Sequence, residues 1–274
     1  MDRRIRLDVR PASYGSFMTD DFAEVAFEAS KDVEPLCEIV FDLVADWRMA
    51  SYSGALPSVI PSSLKTFHDA YVNETEPNTG ILKFSDAIIG RMAQVTPEVS
   101  ADPSLQRTLR ENLVKISSEI QEIGQKTRIE MSTESVWSKY FEFPAFQLGI
   151  SSTLRLVLVS VYCSFENFVV RALRLAHNGK PFRITRAKEF QKGFRAAFGD
   201  LYDRGWKNSR LEAYRRVRHA FMHAGGRITD ELKTVNIPVV IDGDTLHVFP
   251  EHIKELYDLL KPAALEIIRS TTFR

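Results

Sequence analysis

Apolar residues recur three and four positions apart through most of the chain, so helices dominate the expected structure. A first helical stretch runs from Asp20–Asp21 to about Met49, broken or kinked at Pro35, with Leu36, Ile39, Val40, Leu43 and Val44 on one stripe. The Pro/Ser/Gly-rich run Ser51–Ser63 and the run Asn73–Gly80 read as loops. Helices follow at Ile81–Val95 and Pro103–Met131, the second with Leu105, Leu109, Leu113, Ile116, Ile120 and Ile123 in helical register. The aromatic stretch Tyr140–Leu148 contains Pro144 and reads as a boundary. Beyond it lies the most regular segment, Ser151–His177, stopped by Asn178-Gly179. Helices at Thr185–Phe198 and Ser209–Ala224 come next, the latter stopped by Gly225-Gly226. Val235–Val240 and Leu246–Phe249 flank Asp242-Gly243 as a short hairpin, and a helix at Glu251–Arg269 closes the chain. The expected fold is all-α with one small β-hairpin, in two parts: a helical N-terminal region, 1–145, and a C-terminal helical domain, 146–274.

Composition changes this picture little. With 274 residues, 44% hydrophobic and 26% charged, the chain has a globular balance that excludes disorder and fibrous repeats. Lysine plus arginine equals aspartate plus glutamate at 36 each, so the protein is not one that coats nucleic acid by bulk charge. The charge is nevertheless segregated. Residues 19–46 hold nine acids and one base, a net of −8, and residues 183–233 hold thirteen bases and six acids, a net of +7. Mutual attraction of the two segments is the simpler expectation, and an anionic partner near the basic one is the other. Cys37 and Cys163 sit in apolar helical contexts and read as small core residues without a disulfide. The N-terminus lacks the apolar run of a secretory signal. The most apolar stretch, Ile150–Val170, carries Arg155 and Glu166, which points to a buried helix, no membrane contact and a cytoplasmic protein.

Dinucleotide, phosphate-loop, zinc-protease and serine-hydrolase signatures are all missing from the sequence. One string stands out, Arg215-Arg216-Val217-Arg218-His219-Ala220-Phe221-Met222-His223-Ala224-Gly225-Gly226-Arg227. Its residues admit three readings. His219 and His223, four apart on a helix, form a metal pair that lacks a third or fourth ligand nearby in sequence. Alternatively Arg218 and His223 supply a guanidinium for phosphate and an imidazole for proton transfer, the minimum equipment for metal-free RNA cleavage. Five helical residues turn through about 500°, so these two side chains diverge by about 140°. They converge only if the helix loosens at His223 or a ligand lies across its end. The third reading is a surface arginine and a histidine closing a helix C-terminus.

The string Arg218-His219-Ala220-Phe221-Met222-His223 followed by Gly-Gly resembles the Arg-polar-x-x-x-His motif of the HEPN superfamily, the higher eukaryotes and prokaryotes nucleotide-binding domains. Tyr162-Cys163-Ser164-Phe165-Glu166-Asn167-Phe168 resembles the early helix of that family, which carries a glutamate among aromatic residues. The order of long helix, helix, motif helix, short insert and final helix is also similar, over about residues 151–269. The resemblance implies a HEPN-like bundle that homodimerises and acts as a metal-independent endoribonuclease, in the manner of toxin or phage-defence effectors. The family's alternative is a non-catalytic dimerisation, interaction or nucleotide-binding module. Carried over, Arg218 and His223 are catalytic, His219 orients the site or contacts phosphate, and Glu166 either holds Arg218 by an ion pair or is a solvent-facing helix glutamate. Arg210, Arg215, Arg216 and Arg227 flank the motif as candidate RNA contacts. RNA, a second copy and an antitoxin are the implied partners, with no cofactor and no metal.

Overall fold

A computed structural model describes residues 14–74, 77–126 and 144–273. It is helical apart from one two-stranded hairpin, as the apolar spacing predicts. The chain divides into two compact units, Met1–Val59 with Lys139–Arg274, and Ile60–Ser138. A boundary at 145 does not match this division, because residues 14–59 pack into the same core as the C-terminal helices. Helices α1 (Phe22–Ser30) and α2 (Glu34–Glu74) are separated just before Pro35, where a break was expected.

In the first unit the central element is α6 (Pro144–Ala176), with Leu154, Leu158, Val161, Phe165 and Val169 buried along it. Its most apolar window is 61% buried inside the fold, in keeping with a core helix. Trp47 of α2 donates from Nε1 to the Val161 carbonyl at 3.1 Å. The Trp47 ring lies edge-on to Tyr257 at 5.2 Å and near Phe22 at 5.1 Å. Aromatic packing of this kind contributes about 0.5–1.5 kcal/mol per pair beyond the area buried. It explains why residues 14–59 belong to the same compact unit as the C-terminal helices.

Ser51–Ser63, expected as a loop, is helical throughout and belongs to α2. Local propensity loses here to tertiary contact. The Ser51 hydroxyl accepts from the Met18 amide at 3.1 Å and shares a 2.6 Å hydrogen bond with Ser16. Ser58 donates to the Tyr14 carbonyl at 2.6 Å, and Gly54 faces Val157 of α6. The hydroxyls that favour a loop in isolation instead satisfy the backbone of residues 14–18. Asn73–Gly80 is likewise mostly helical, since α2 reaches Glu74 and α3 begins at Pro77.

α6 begins at Pro144, so residues 144–148 are helix where a boundary was expected, while 140–143 lie outside the described residues. The helix ends at Asn178 (φ 51°) and Gly179 (φ 88°), whose amide returns to the Arg174 carbonyl at 2.8 Å. After it come α7 (Ala187–Phe198), a π-helical turn (Tyr202–Trp206) and α8 (Ser209–His223), the motif helix. Asn208 caps α8, its side-chain oxygen accepting from the amides of Arg210 and Leu211. Strands β1 (Val240–Asp242) and β2 (Thr245–His247) pair antiparallel around Gly243-Asp244, one residue later than expected. α9 (Pro250–Ile268) packs along α6.

In the second unit α3 (Pro77–Val95), α4 (Pro97–Ala101) and α5 (Pro103–Lys126) pack together. Residues 127–131, expected to continue the last of these helices, lie outside the described residues. Ile89 and Val99 are buried there, Asp102 caps α5, and Arg110 pairs with Asp86 at 2.7 Å.

Gly193 in α7 lies directly under the Phe182 ring, and its carbonyl accepts from His177 Nε2 at 2.9 Å. Helix propensity alone favours alanine there by about 1 kcal/mol. An added Cβ would run into the buried ring, and overpacking costs about 1–3 kcal/mol. Gly193→Ala is therefore expected to lower stability in urea unfolding by up to about 2 kcal/mol, and Phe182→Leu in the same chain to recover most of it.

Candidate functional site

α8 presents three faces. Leu211, Ala213, Tyr214, Val217 and Ala220 are buried, and fix the helix against α6 and α9. Arg215 and Arg218 point toward α6 and meet Glu166. Glu212, Arg216, His219 and His223, spaced four, three and four residues apart, share a third strip.

Glu166 is nearly buried, its side chain 11% exposed, and accepts from Arg218 Nη2 at 3.0 Å. Arg215 Nε stands 3.9 Å from the same oxygen. Burial pushes the Glu166 carboxyl upward, against the pull of the Arg218 and Arg215 charges. Both guanidiniums also lie over aromatic rings, Arg218 at 5.6 Å from Tyr162 and Arg215 at 4.6 Å from Trp206. Arg218 is 20% exposed, so part of its donor edge reaches solvent.

His219 and His223 are exposed, with ring centroids 4.5 Å apart. α8 stays regular through His223 and stops only beyond it, where the amides of Ala224 and Gly226 both bond the Ala220 carbonyl. The helix does not loosen at His223. Arg218 and His223 therefore keep different faces, and the structure joins the two histidines with each other and Arg218 with Glu166.

The flanking arginines are placed otherwise than free RNA contacts would be. Arg210 makes a fork on Glu255, with Nη2 at 2.9 Å. Arg215 bonds Glu212 as well as facing Glu166. Arg216 reaches Glu212, the Glu231 carbonyl at 2.7 Å and Thr234 at 2.6 Å. Arg227 alone of the four is open, 74% exposed and 3.9 Å from Asp244. The attraction expected between the acidic and basic segments is also not what pairs these charges. Among the described residues Asp42 bonds Arg171 and Asp20 bonds Lys261, both outside residues 183–233. Arg195, Arg204, Arg215, Arg216 and Lys233 find acids close in sequence, and Arg204 also reaches Glu266. Cys37 and Cys163 are free thiols and only partly buried. Groups of three or more metal-ligating side chains are absent among the described residues.

Sequence reasoning passed over two residues at the end of α8. Arg155 of α6 lies 5.5 Å from the Phe221 ring and donates from Nη2 to the Leu246 carbonyl at 3.2 Å. His247 follows on β2, and burial and the Arg155 charge both lower its imidazole pKa. The available signal was Arg155 itself, a cation inside the most apolar stretch of the chain.

Compared with models of known protein families, with curated proteins and with solved structures, the chain gives no match.

Removing one partner of a buried pair costs about 3–5 kcal/mol, less where solvent reaches it. Glu166→Ala is expected to destabilise by about 2–4 kcal/mol in urea unfolding, and Arg218→Met added to it to recover part of that. Arg218→Ala alone should thus also disturb the fold, contrary to what a purely catalytic arginine would do. A second expectation concerns Glu255, which its bond to Arg210 holds below the usual carboxylate range. A depressed carboxyl contributes stability that is present above the unfolded-state value and lost as pH falls through the folded-state one. The stability advantage of the parent over Glu255→Gln should therefore shrink on acidification below about 4.3, as followed by thermal melts at stepped pH.

Proposed function

We propose that the protein is a metal-independent endoribonuclease whose reacting groups are His223, with His219, and Arg218. The observation that carries this reading is the Glu166-anchored Arg218 immediately before His219, whose ring lies 4.5 Å from that of the exposed His223 at the end of α8. The imidazole of His223 takes the proton from a ribose 2′-OH as its oxygen attacks the adjacent phosphorus. The bond from phosphorus to the 5′-oxygen then breaks, and the protonated imidazole gives its proton to the departing oxygen. The products are a 2′,3′-cyclic phosphate and a 5′-hydroxyl. Arg218 offsets the charge that builds on the phosphoryl oxygens. Because Arg218 and His223 diverge, the substrate lies across the helix end, or a second copy brings its own motif alongside. A homodimer in the cytoplasm, a toxin or defence role and an antitoxin partner belong to the same proposal.

A non-catalytic interaction module is the second reading. It is favoured by Arg210, Arg215 and Arg216, which are already bonded to acids or carbonyls of the same chain.

Purified protein with mixed RNA in EDTA decides between them. His223→Ala should lose about 10²–10⁴ in cleavage rate with unchanged melting temperature, and Arg218→Lys should rescue only in part because an ammonium cannot make a two-pronged phosphate contact. DNA should survive, since it lacks the 2′-OH. Equal cleavage by His223→Ala and the parent would move the assignment to the interaction module, as would no cleavage by the parent. Light scattering that gave 31.2 kDa at all micromolar concentrations would remove the dimer.

A further inference from the structure

Among the described residues, every arginine other than Arg155 is either ion-paired to a carboxylate or exposed. Arg155 is neither. It is partly buried on α6, it has no carboxylate partner, and its Nε is buried without a hydrogen bond. The Leu246 carbonyl takes one Nη2 hydrogen, and the buried Nε has no acceptor. The Nε atoms of Arg215 and Arg218 are orphaned too, but those two arginines have Glu212 and Glu166 as counter-charges where Arg155 has none among the described residues. A partly buried charge without a counter-charge is costly, and such groups concentrate at binding and catalytic sites.

The surroundings hold this guanidinium in place. The Phe221 ring flanks it at 5.5 Å. Gly226, at φ 80°, leaves the space that a side chain would take: an added Cβ would press on Phe221 and come 3.5 Å from Arg155 Nη1. The hairpin is stitched to the same segment, with Leu246 N bonding the Gly226 carbonyl at 2.8 Å and Ile228 N bonding the Asp244 carbonyl at 2.8 Å. These bonds set β2 and His247 beside Arg155 at the end of the motif helix. The hairpin's acids are accounted for: Asp244 faces Arg227, and Asp242 acts on His247.

We propose that Arg155, with His247, forms a phosphate-binding site at the C-terminal end of α8, held between α6, the Gly226 turn and the β-hairpin. Its ligand is a phosphate oxyanion, carried by an oligonucleotide backbone or by a free nucleotide. The site stands without the nuclease reading. Where that reading holds, the site receives a phosphate flanking the one that reacts.

The test uses the full chain carrying His223→Ala, so that binding is read without cleavage. Inorganic phosphate should raise its melting temperature, and adding Arg155→Met should abolish the rise while leaving the ligand-free melting temperature equal or higher, because an unpaired charge has been removed. In fluorescence anisotropy, Arg155→Met should weaken a labelled single-stranded RNA by about 10–100-fold, the range for charge-assisted hydrogen bonds. If AMP competes and the RNA does not respond to Arg155→Met, the phosphate comes from a free nucleotide. Arg155→Lys keeps a charge without the fork and should bind phosphate more weakly than the parent. No phosphate shift in the Arg155-containing protein, or a shift retained in Arg155→Met or equal in Arg155→Lys, would overturn the site. So would a ligand-free melting temperature that falls in Arg155→Met with phosphate binding kept, since Arg155 would then serve only to hold the hairpin.

Discussion

Glu166 is a carboxylate that α6 carries into a nearly dry contact, and α8 has to answer it with cations. Arg218 and Arg215, three residues apart, do so from one face of α8. That requirement sets the rotation of the motif helix about its axis. Once Arg215 and Arg218 look at α6 and Tyr214, Val217 and Ala220 look at the core, His219 and His223 have only the outer face left. The exposed histidine pair is thus a consequence of a buried ion pair on the neighbouring side of the same helix. Such pairs seldom add net stability over apolar packing, but they penalise any arrangement that leaves one partner alone. Specification of helix orientation is the role this geometry supports.

The same logic runs through the basic segment. Its net charge invites a nucleic-acid reading, yet Arg210, Arg215 and Arg216 spend their donors on Glu255, Glu212 and backbone carbonyls of this chain. Each of these contacts orders a connection: Arg210 ties the start of α8 to α9, and Arg216 ties it to the turn at Leu232–Thr234. Arg155 breaks the pattern. Among the described residues it has no carboxylate partner, and it lies close to where α8, the glycine turn and the hairpin meet. The hairpin is held to the Gly226 turn by main-chain bonds, so it forms part of the wall at that end of the helix.

Helices were legible where an apolar stripe and a clear stop coincide. Ser151–His177, Thr185–Phe198, Ser209–Ala224 and Glu251–Arg269 all end within a residue of the observed helices. The first and third do so because Asn178-Gly179 and Gly225-Gly226 supply the positive φ that ends a helix, whereas the first observed helix begins seven residues earlier than expected, at Pro144. Ser51–Ser63 was misread for the opposite reason. Its serines, glycine and prolines favour a loop locally, and only the partners at residues 14–18 and on α6 make a helix the better state. A domain boundary at 145 failed similarly, since the Trp47, Phe22 and Tyr257 cluster joins residues some 200 positions apart in sequence.

What the sequence determined by itself is the helical class, the hairpin, and a short motif in which arginine and histidine types fall at fixed steps on one helix. Those follow from periodicity, turn chemistry and the geometry of 3.6 residues per turn. Which cation meets which acid was settled only by tertiary structure. Charge balance along a chain says that partners exist, but pairing depends on distances that sequence spacing does not encode. Packing of α6 against α8 placed Glu166 on Arg218 and, among the described residues, left the buried Arg155 Nε without a hydrogen bond.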